Sequence, residues 1–147
     1  MLFDCSGVGH ALEQGVCCVL IVDDEPDLRE MVACLLNGEG YDTVLAGNGA
    51  DGLEQLRTRR PCLVLLDVMM PIMDGYEFRA RQLDDPDLAS IPVLCWTAMF
   101  DRHRVAQSLG VRCVQKPVSM DELLALVHAH CNPQATRRIR RDIPPDV

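Results

Sequence analysis

The 147-residue sequence predicts an α/β fold, a doubly wound five-stranded parallel sheet with helices on both faces. Three observations lead there. Short β-forming runs alternate with amphipathic stretches, five of each, from Cys17 to Pro133. Several of the runs are apolar without a break, as strands covered on both faces of a sheet must be. Finally, 48% of the residues are apolar and only 4% aromatic, which makes the core aliphatic and sufficient for one domain.

Cys17 to Val22 is the first continuous apolar run and reads as a buried strand. Pro26 suits the first turn of a helix, where its missing N–H costs nothing. Leu28, Met31, Val32, Leu35 and Leu36 then recur at helical spacing, and Gly38 and Gly40 end that helix. Tyr41 to Ala46 alternates like a half-exposed edge strand, and Ala50 to Thr58 is a short helix. Cys62 to Leu66 is a second buried strand, followed past Pro71 and Gly75 by a helix from Tyr76 to Leu83. Pro92 opens the strand Val93 to Trp96, and Arg102 to Leu109 is a short helix. Val111 to Val114 is the fifth strand. Ser119 and Glu122 form a capping box for a last helix, buried through Leu123, Leu124, Leu126 and Val127 and ended by Pro133.

Composition removes several classes of function. No apolar run approaches the roughly 18 residues that span a bilayer. The first fifteen residues hold Asp4 and Glu13 but no Lys or Arg, unlike a secretory leader. Net charge is −8, from 22 acids and 14 bases, which disfavours a non-specific grip on nucleic acid. Lys116 is the only lysine and lies outside any glycine-rich stretch, so a Walker phosphate loop is excluded. The eight cysteines include no C-x-x-C pair and several sit inside apolar runs. Reduced thiols in a cytoplasmic protein are expected, rather than a disulfide framework or a zinc site.

In a doubly wound sheet the working edge is the one at the carboxyl ends of the strands. Here the first strand ends in Asp23-Asp24-Glu25, the third in Asp67, the fourth in Thr97 and the fifth in Lys116-Pro117. Two like charges about 4 Å apart repel by roughly 4 kcal/mol at an effective dielectric of 20. Asp23, Asp24 and Asp67 therefore need a counter-charge. Mg²⁺, with oxygen ligands from one or two carboxylates and room for a phosphate oxygen, supplies one. Thr97 and Lys116 are the donors that such a phosphate needs. The residues thus predict a Mg²⁺-assisted phosphoryl site with an aspartate as nucleophile.

At this point the chain resembles the receiver domain of two-component response regulators. The resemblance rests on Val19 to Pro26, on Leu65 to Glu77 with Asp67, Pro71, Asp74 and Gly75, on Trp96-Thr97-Ala98, and on Gln115-Lys116-Pro117. It covers residues 16–132, with an N-terminal extension at 1–15 and a basic tail at 133–147. The resemblance implies strand order 2-1-3-4-5. It makes Asp67 the phosphoacceptor for a histidine kinase or a histidine phosphotransfer protein. Asp24 and Asp67 would ligate Mg²⁺ with the backbone carbonyl of Met69, and Asp23 would act through a metal-bound water. Thr97 would follow the phosphate and Lys116 would pair with it, repacking the surface of the fourth helix, fifth strand and fifth helix for a downstream protein. No separate substrate, direct DNA binding or membrane contact is expected, and the chain would be a monomer or weak dimer.

Two departures stand out. Cys113 occupies the place, three residues before the lysine, where the family usually has Tyr or Phe. The interval from Thr97 to Lys116 is also shorter than usual by nearly one helical turn, which puts the readout in question.

Other readings compete. Gly47-Asn48-Gly49-Ala50-Asp51-Gly52 imitates a dinucleotide fingerprint, but it follows a polar strand and explains none of the acids; a tight turn and close helix start suffice. A haloacid-dehalogenase-like phosphatase needs an acid where Met69 stands. A phosphorylation-independent scaffold of the same fold, or the receiver part of a hybrid kinase, are the remaining alternatives. Arg137, Arg138, Arg140 and Arg141 make the tail basic, and a solvated tail explains them. The four histidines show no ligand spacing beyond His128 and His130, which point to different helix faces.

Overall fold

The structure is a computed structural model and describes residues 17–98, 102–116 and 119–131. The expected extension at 1–15, the tail at 133–147 and Pro117 lie outside the described residues. Within them, β1 (Cys18–Val22), α1 (Pro26–Gly38), β2 (Asp42–Ala46), α2 (Gly49–Arg59), β3 (Leu63–Leu66), α3 (Gly75–Asp84), β4 (Val93–Thr97), α4 (Arg102–Leu109), β5 (Arg112–Gln115) and α5 (Met120–Cys131) follow in strict alternation. The five strands are all parallel and lie in the order β2-β1-β3-β4-β5. The fold is the doubly wound sheet that the alternation predicts, with ends shifted by a residue or so.

Successive strand residues point to opposite faces, and each face has its own layer of helices. Val19, Ile21, Leu63, Leu65, Leu94 and Trp96 pack against α1 and α5 through Val32, Leu36, Leu123 and Val127. On the other face Leu20, Val22, Val64 and Leu66 meet Leu53 and Leu56 of α2 and Phe78 of α3. A smaller cluster of Val68, Cys95, Val105 and Leu109 lies under α4. Every residue of β1, β3 and β4 is buried, which explains their unbroken apolar runs.

The edges behave differently. Strand β2 alternates as expected, but its buried phase includes Asp42, whose carboxylate is paired with Arg59 at 3.4 Å. Strand β5 has no fully buried residue. Three helices begin where the sequence signals them. Pro26 opens α1, the Asp74 carboxylate accepts from Glu77 N–H at 2.9 Å, and the Ser119 hydroxyl accepts from Glu122 N–H at 3.0 Å.

One expectation is corrected. Cys34 is disulfide-bonded, whereas Cys17, Cys18, Cys62, Cys95, Cys113 and Cys131 are free. A disulfide requires only that two Cα atoms approach within about 4.4–6.8 Å, a condition that spacing along the chain does not report. No helix among the described residues is long and apolar enough to cross a membrane.

Candidate functional site

Asp23 and Asp67 directly follow the neighbouring strands β1 and β3 and prolong their hydrogen-bond ladders. The Asp23 N–H donates to Ala46 O at 3.1 Å, and the Asp67 N–H donates to Val22 O at 2.9 Å. This stacks the two residues side by side at the carboxyl edge. With Asp24 they form a group in which one carboxylate oxygen from each lies within 4.8 Å of the others. Asp23 is 0% and Asp67 5% exposed, whereas Asp24 faces solvent.

Lys116 leaves the end of β5 and reaches across the edge. Its ammonium lies 2.6 Å from Asp23 Oδ2, 3.6 Å from Glu25 Oε1 and 3.7 Å from Asp67 Oδ2. It also stands 4.9 Å from the centre of the Trp96 ring, a cation–π contact. Backbone donors hold the remaining oxygens. Val68 N–H donates to Asp67 Oδ1 at 2.9 Å, and Glu25 N–H to Asp23 Oδ1 at 2.9 Å. Arg29 Nη1 donates to the Asp23 carbonyl at 2.6 Å.

The Asp67 carboxyl is raised to about 6 as the net of opposing influences, of which burial is the largest. Lys116 pulls it down, and the charges of Asp23 and Asp24 push it further up. Burial works against the charge of Lys116, but its hydrogen bond to Asp23 and the charges of Asp67, Asp23 and Glu25 prevail and hold it above the ordinary lysine value. One ammonium thus faces the carboxylates of Asp23, Glu25 and Asp67, and the pocket keeps a surplus of negative charge.

Thr97 ends β4, fully buried, and its carbonyl accepts the Lys116 N–H at 2.7 Å. Met69, two residues beyond Asp67, is 62% exposed. Asp23, Asp24, Asp67 and Lys116 are therefore brought together, and Thr97 adjoins them through the backbone of Lys116. Asp74 caps α3 and takes no part in the carboxylate group. Beside it, a Cβ on Gly75 would stand 2.7 Å from Asp67 O and 2.8 Å from Val68 Cα, so only glycine lets α3 start this close to the Asp67 turn.

Three residues of the pocket escape a motif-based reading. Glu25 extends the acidic run without an assigned role, Arg29 lies in the first turns of α1, and Trp96 reads only as a strand residue. A paired acid–amine geometry across strands has no signature in spacing. The glycine-rich turn is a packing device: the Gly49 N–H donates to Met73 O at 2.9 Å, and a Cβ on Gly52 would stand 3.1 Å from both Val22 and Phe78. The place of the missing aromatic is taken by a thiol pair, with Cys113 Sγ 2.8 Å from Cys95 Sγ, beside Val68, Val105 and Leu109.

Comparison with known proteins gives a consistent outcome. The family model described as response regulator receiver domain matches residues 19–128. The DNA-binding response regulator MtrA of Mycolicibacterium smegmatis is 39% identical over 115 residues, which are 76% of this chain and 49% of that protein. The chain therefore spans about half the length of that relative. Among solved structures, the signal receiver domain of a signal transduction histidine kinase from Syntrophus aciditrophicus superimposes with a TM-score of 0.73 at 32% identity, over 80% of this chain and 92% of that one. The chemotaxis response regulator CheY4 of Vibrio cholerae gives 0.71 at 27% identity, over 77% and 97%.

Proposed function

The chain belongs to the response regulator receiver family, and from that premise we propose that Asp67 accepts a phosphoryl group from a phosphohistidine of a kinase or phosphotransfer protein. The observation that carries the reading is the place of Asp67: buried at the end of the central strand, beside two further carboxylates and 3.7 Å from the ammonium of Lys116. An oxygen of Asp67 would attack phosphorus, the bond from phosphorus to the imidazole nitrogen would break, and the leaving imidazole would take a proton from solvent. Without divalent metal burial holds the Asp67 carboxyl at about 6, so it is still largely ionised at neutral pH, the form that attacks. Lys116 would pair with the transferred group, and the Thr97 hydroxyl would donate to it.

The donor set fits a hard divalent cation, because its oxygens converge and carry uncompensated charge. Asp23, Asp24 and Asp67, with the carbonyl of Met69, would hold Mg²⁺. Bound there, the ion would neutralise the carboxylates and screen the incoming phosphoryl oxygens. Phosphorylation would then alter the face of α4, β5 and α5, where a downstream protein would dock.

Intact-mass measurement after incubation with acetyl phosphate and Mg²⁺ tests the reading. Wild type should gain one phosphoryl group and Asp67→Asn none; equal gain in both would overturn the assignment. Chelation of Mg²⁺ should abolish the gain in wild type.

A further inference from the structure

The opposite edge of the sheet carries a second cluster that the phosphoryl chemistry does not use. Cys17 precedes β1, Cys62 precedes β3 and Cys131 ends α5. Their sulfurs all lie within 4.8 Å of one another, and all three residues are half-buried. Cys62 Sγ is 3.2 Å from Cys131 Sγ, and Cys17 Sγ donates to the Cys131 carbonyl at 3.2 Å. The backbone fixes two of the three: Cys62 N–H donates to Cys18 O at 2.9 Å, and Cys17 O accepts from Asp42 N–H at 3.1 Å. Alongside, the Tyr41 hydroxyl is hydrogen-bonded to His128 Nδ1, one helical turn before Cys131.

We propose that Cys17, Cys62 and Cys131 form a binding site for a thiophilic metal cation of the Cu(I), Zn(II) or Cd(II) class. Sulfurs bound at about 2.3 Å around one such ion stand roughly 3.8 Å apart, inside the range already present here. Thiolate ligands select these soft cations and not Mg²⁺, so the two edges of the sheet would hold different metals. A Cys62–Cys131 disulfide would use two of the sulfurs and leave the convergence of Cys17 unexplained; a cation uses all three. Binding forms three metal–sulfur bonds, and each thiol gives its proton to the buffer.

The full chain, reduced and free of metal, is titrated with Cd²⁺, and thiolate-to-cadmium charge-transfer absorption is followed in the ultraviolet. One equivalent should saturate the signal in wild type. Cys62→Ser and Cys131→Ser should weaken binding by about tenfold or more, while Cys113→Ser, a thiol outside the cluster, should bind as wild type. Alkylation mapped by mass spectrometry keeps the test independent of the variants' folding: in wild type, Cd²⁺ should protect Cys17, Cys62 and Cys131 together. Absence of the band at one equivalent, independent alkylation of the three thiols in the presence of Cd²⁺, or a Cys62–Cys131 disulfide that persists under reduction and blocks uptake would each overturn the site.

Discussion

In the absence of divalent metal, Asp67→Asn should make the protein more stable, and the gain should shrink as pH falls. The buried carboxyl of Asp67 titrates at about 6 instead of 3.8 because burial and its acidic neighbours outweigh Lys116. Its folded-state value is raised, so the folded chain binds more protons than the unfolded one between those two values. Stability contributed by protonated Asp67 is thus full at low pH and lost as pH rises through about 6. A shift of about two units at roughly 1.4 kcal/mol each sets the penalty near 3 kcal/mol at pH 8. At pH 5 only about half of it remains, by the same linkage relation. Asparagine has the shape of the protonated acid and no charge, so it escapes the penalty at every pH. Urea unfolding of both proteins at pH 8 and pH 5, with chelator present, measures the difference. Saturating Mg²⁺ should close the gap at pH 8 by stabilising wild type. A destabilised Asp67→Asn at pH 8, or a difference that does not change with pH, would refute the reasoning.

Other perturbations of the pocket have distinct outcomes. Lys116→Met leaves Asp23 buried beside other carboxylates without its 2.6 Å partner, and denaturant titration should register a loss of about 3 kcal/mol, since breaking a buried pair leaves an uncompensated charge in the interior. Mg²⁺ at 100 times its dissociation constant should add about 2.7 kcal/mol to wild type; calorimetry should record a smaller rise for Asp24→Asn, and an equal rise would remove Asp24 from the metal site. Gly75→Ala forces a Cβ against Asp67 O and Val68 Cα, so unfolding experiments should give a cost of about 1–3 kcal/mol, with slower phosphorylation as the Asp67 turn is displaced.

Legibility in the sequence followed burial and locality. β1, β3 and β4 are covered on both faces, so their apolar runs name them directly. The acids at their ends follow, because a parallel sheet aligns the carboxyl ends of its strands. Caps such as Asp74 and Ser119 are local, so a four-residue window contains them. What stayed hidden depends on distance. Cys17 and Cys131 meet across 114 positions, and Cys62 and Cys131 across 69. No spacing rule for ligands reaches that far. Asp42 was hidden for another reason: alternation along an edge strand gives the phase of burial but does not announce that an acid in the buried phase will find Arg59.

On the output side Cys113 stands where the resemblance leads one to expect an aromatic, and the geometry bears on what can take its part. Cys113 is too small to swing between a buried and an exposed position with much change in covered area. Burying apolar surface contributes about 25 cal/mol per Å², so a side chain that sweeps little area biases an equilibrium little. The continuous connection that does exist is in the backbone: Lys116, paired with Asp23 and close to Asp67, donates its N–H to the carbonyl of Thr97 at 2.7 Å. On the proposed reading, both residues that would grip a phosphoryl group are tied at the ends of β4 and β5. A shift of Lys116 from Asp23 toward the phosphoryl group would therefore bear on β5, none of whose residues is fully buried and whose neighbour α4 is only eight residues long. A lightly packed strand yields at lower cost than a buried one. The readout would then be a displacement of β5 and α4 as a unit, and hydrogen exchange should show it: addition of beryllofluoride and Mg²⁺ should alter protection in 102–116 while β1 and β3 stay unchanged. Equal protection in 102–116 with and without the phosphoryl mimic, in protein shown to have bound it, would remove this route.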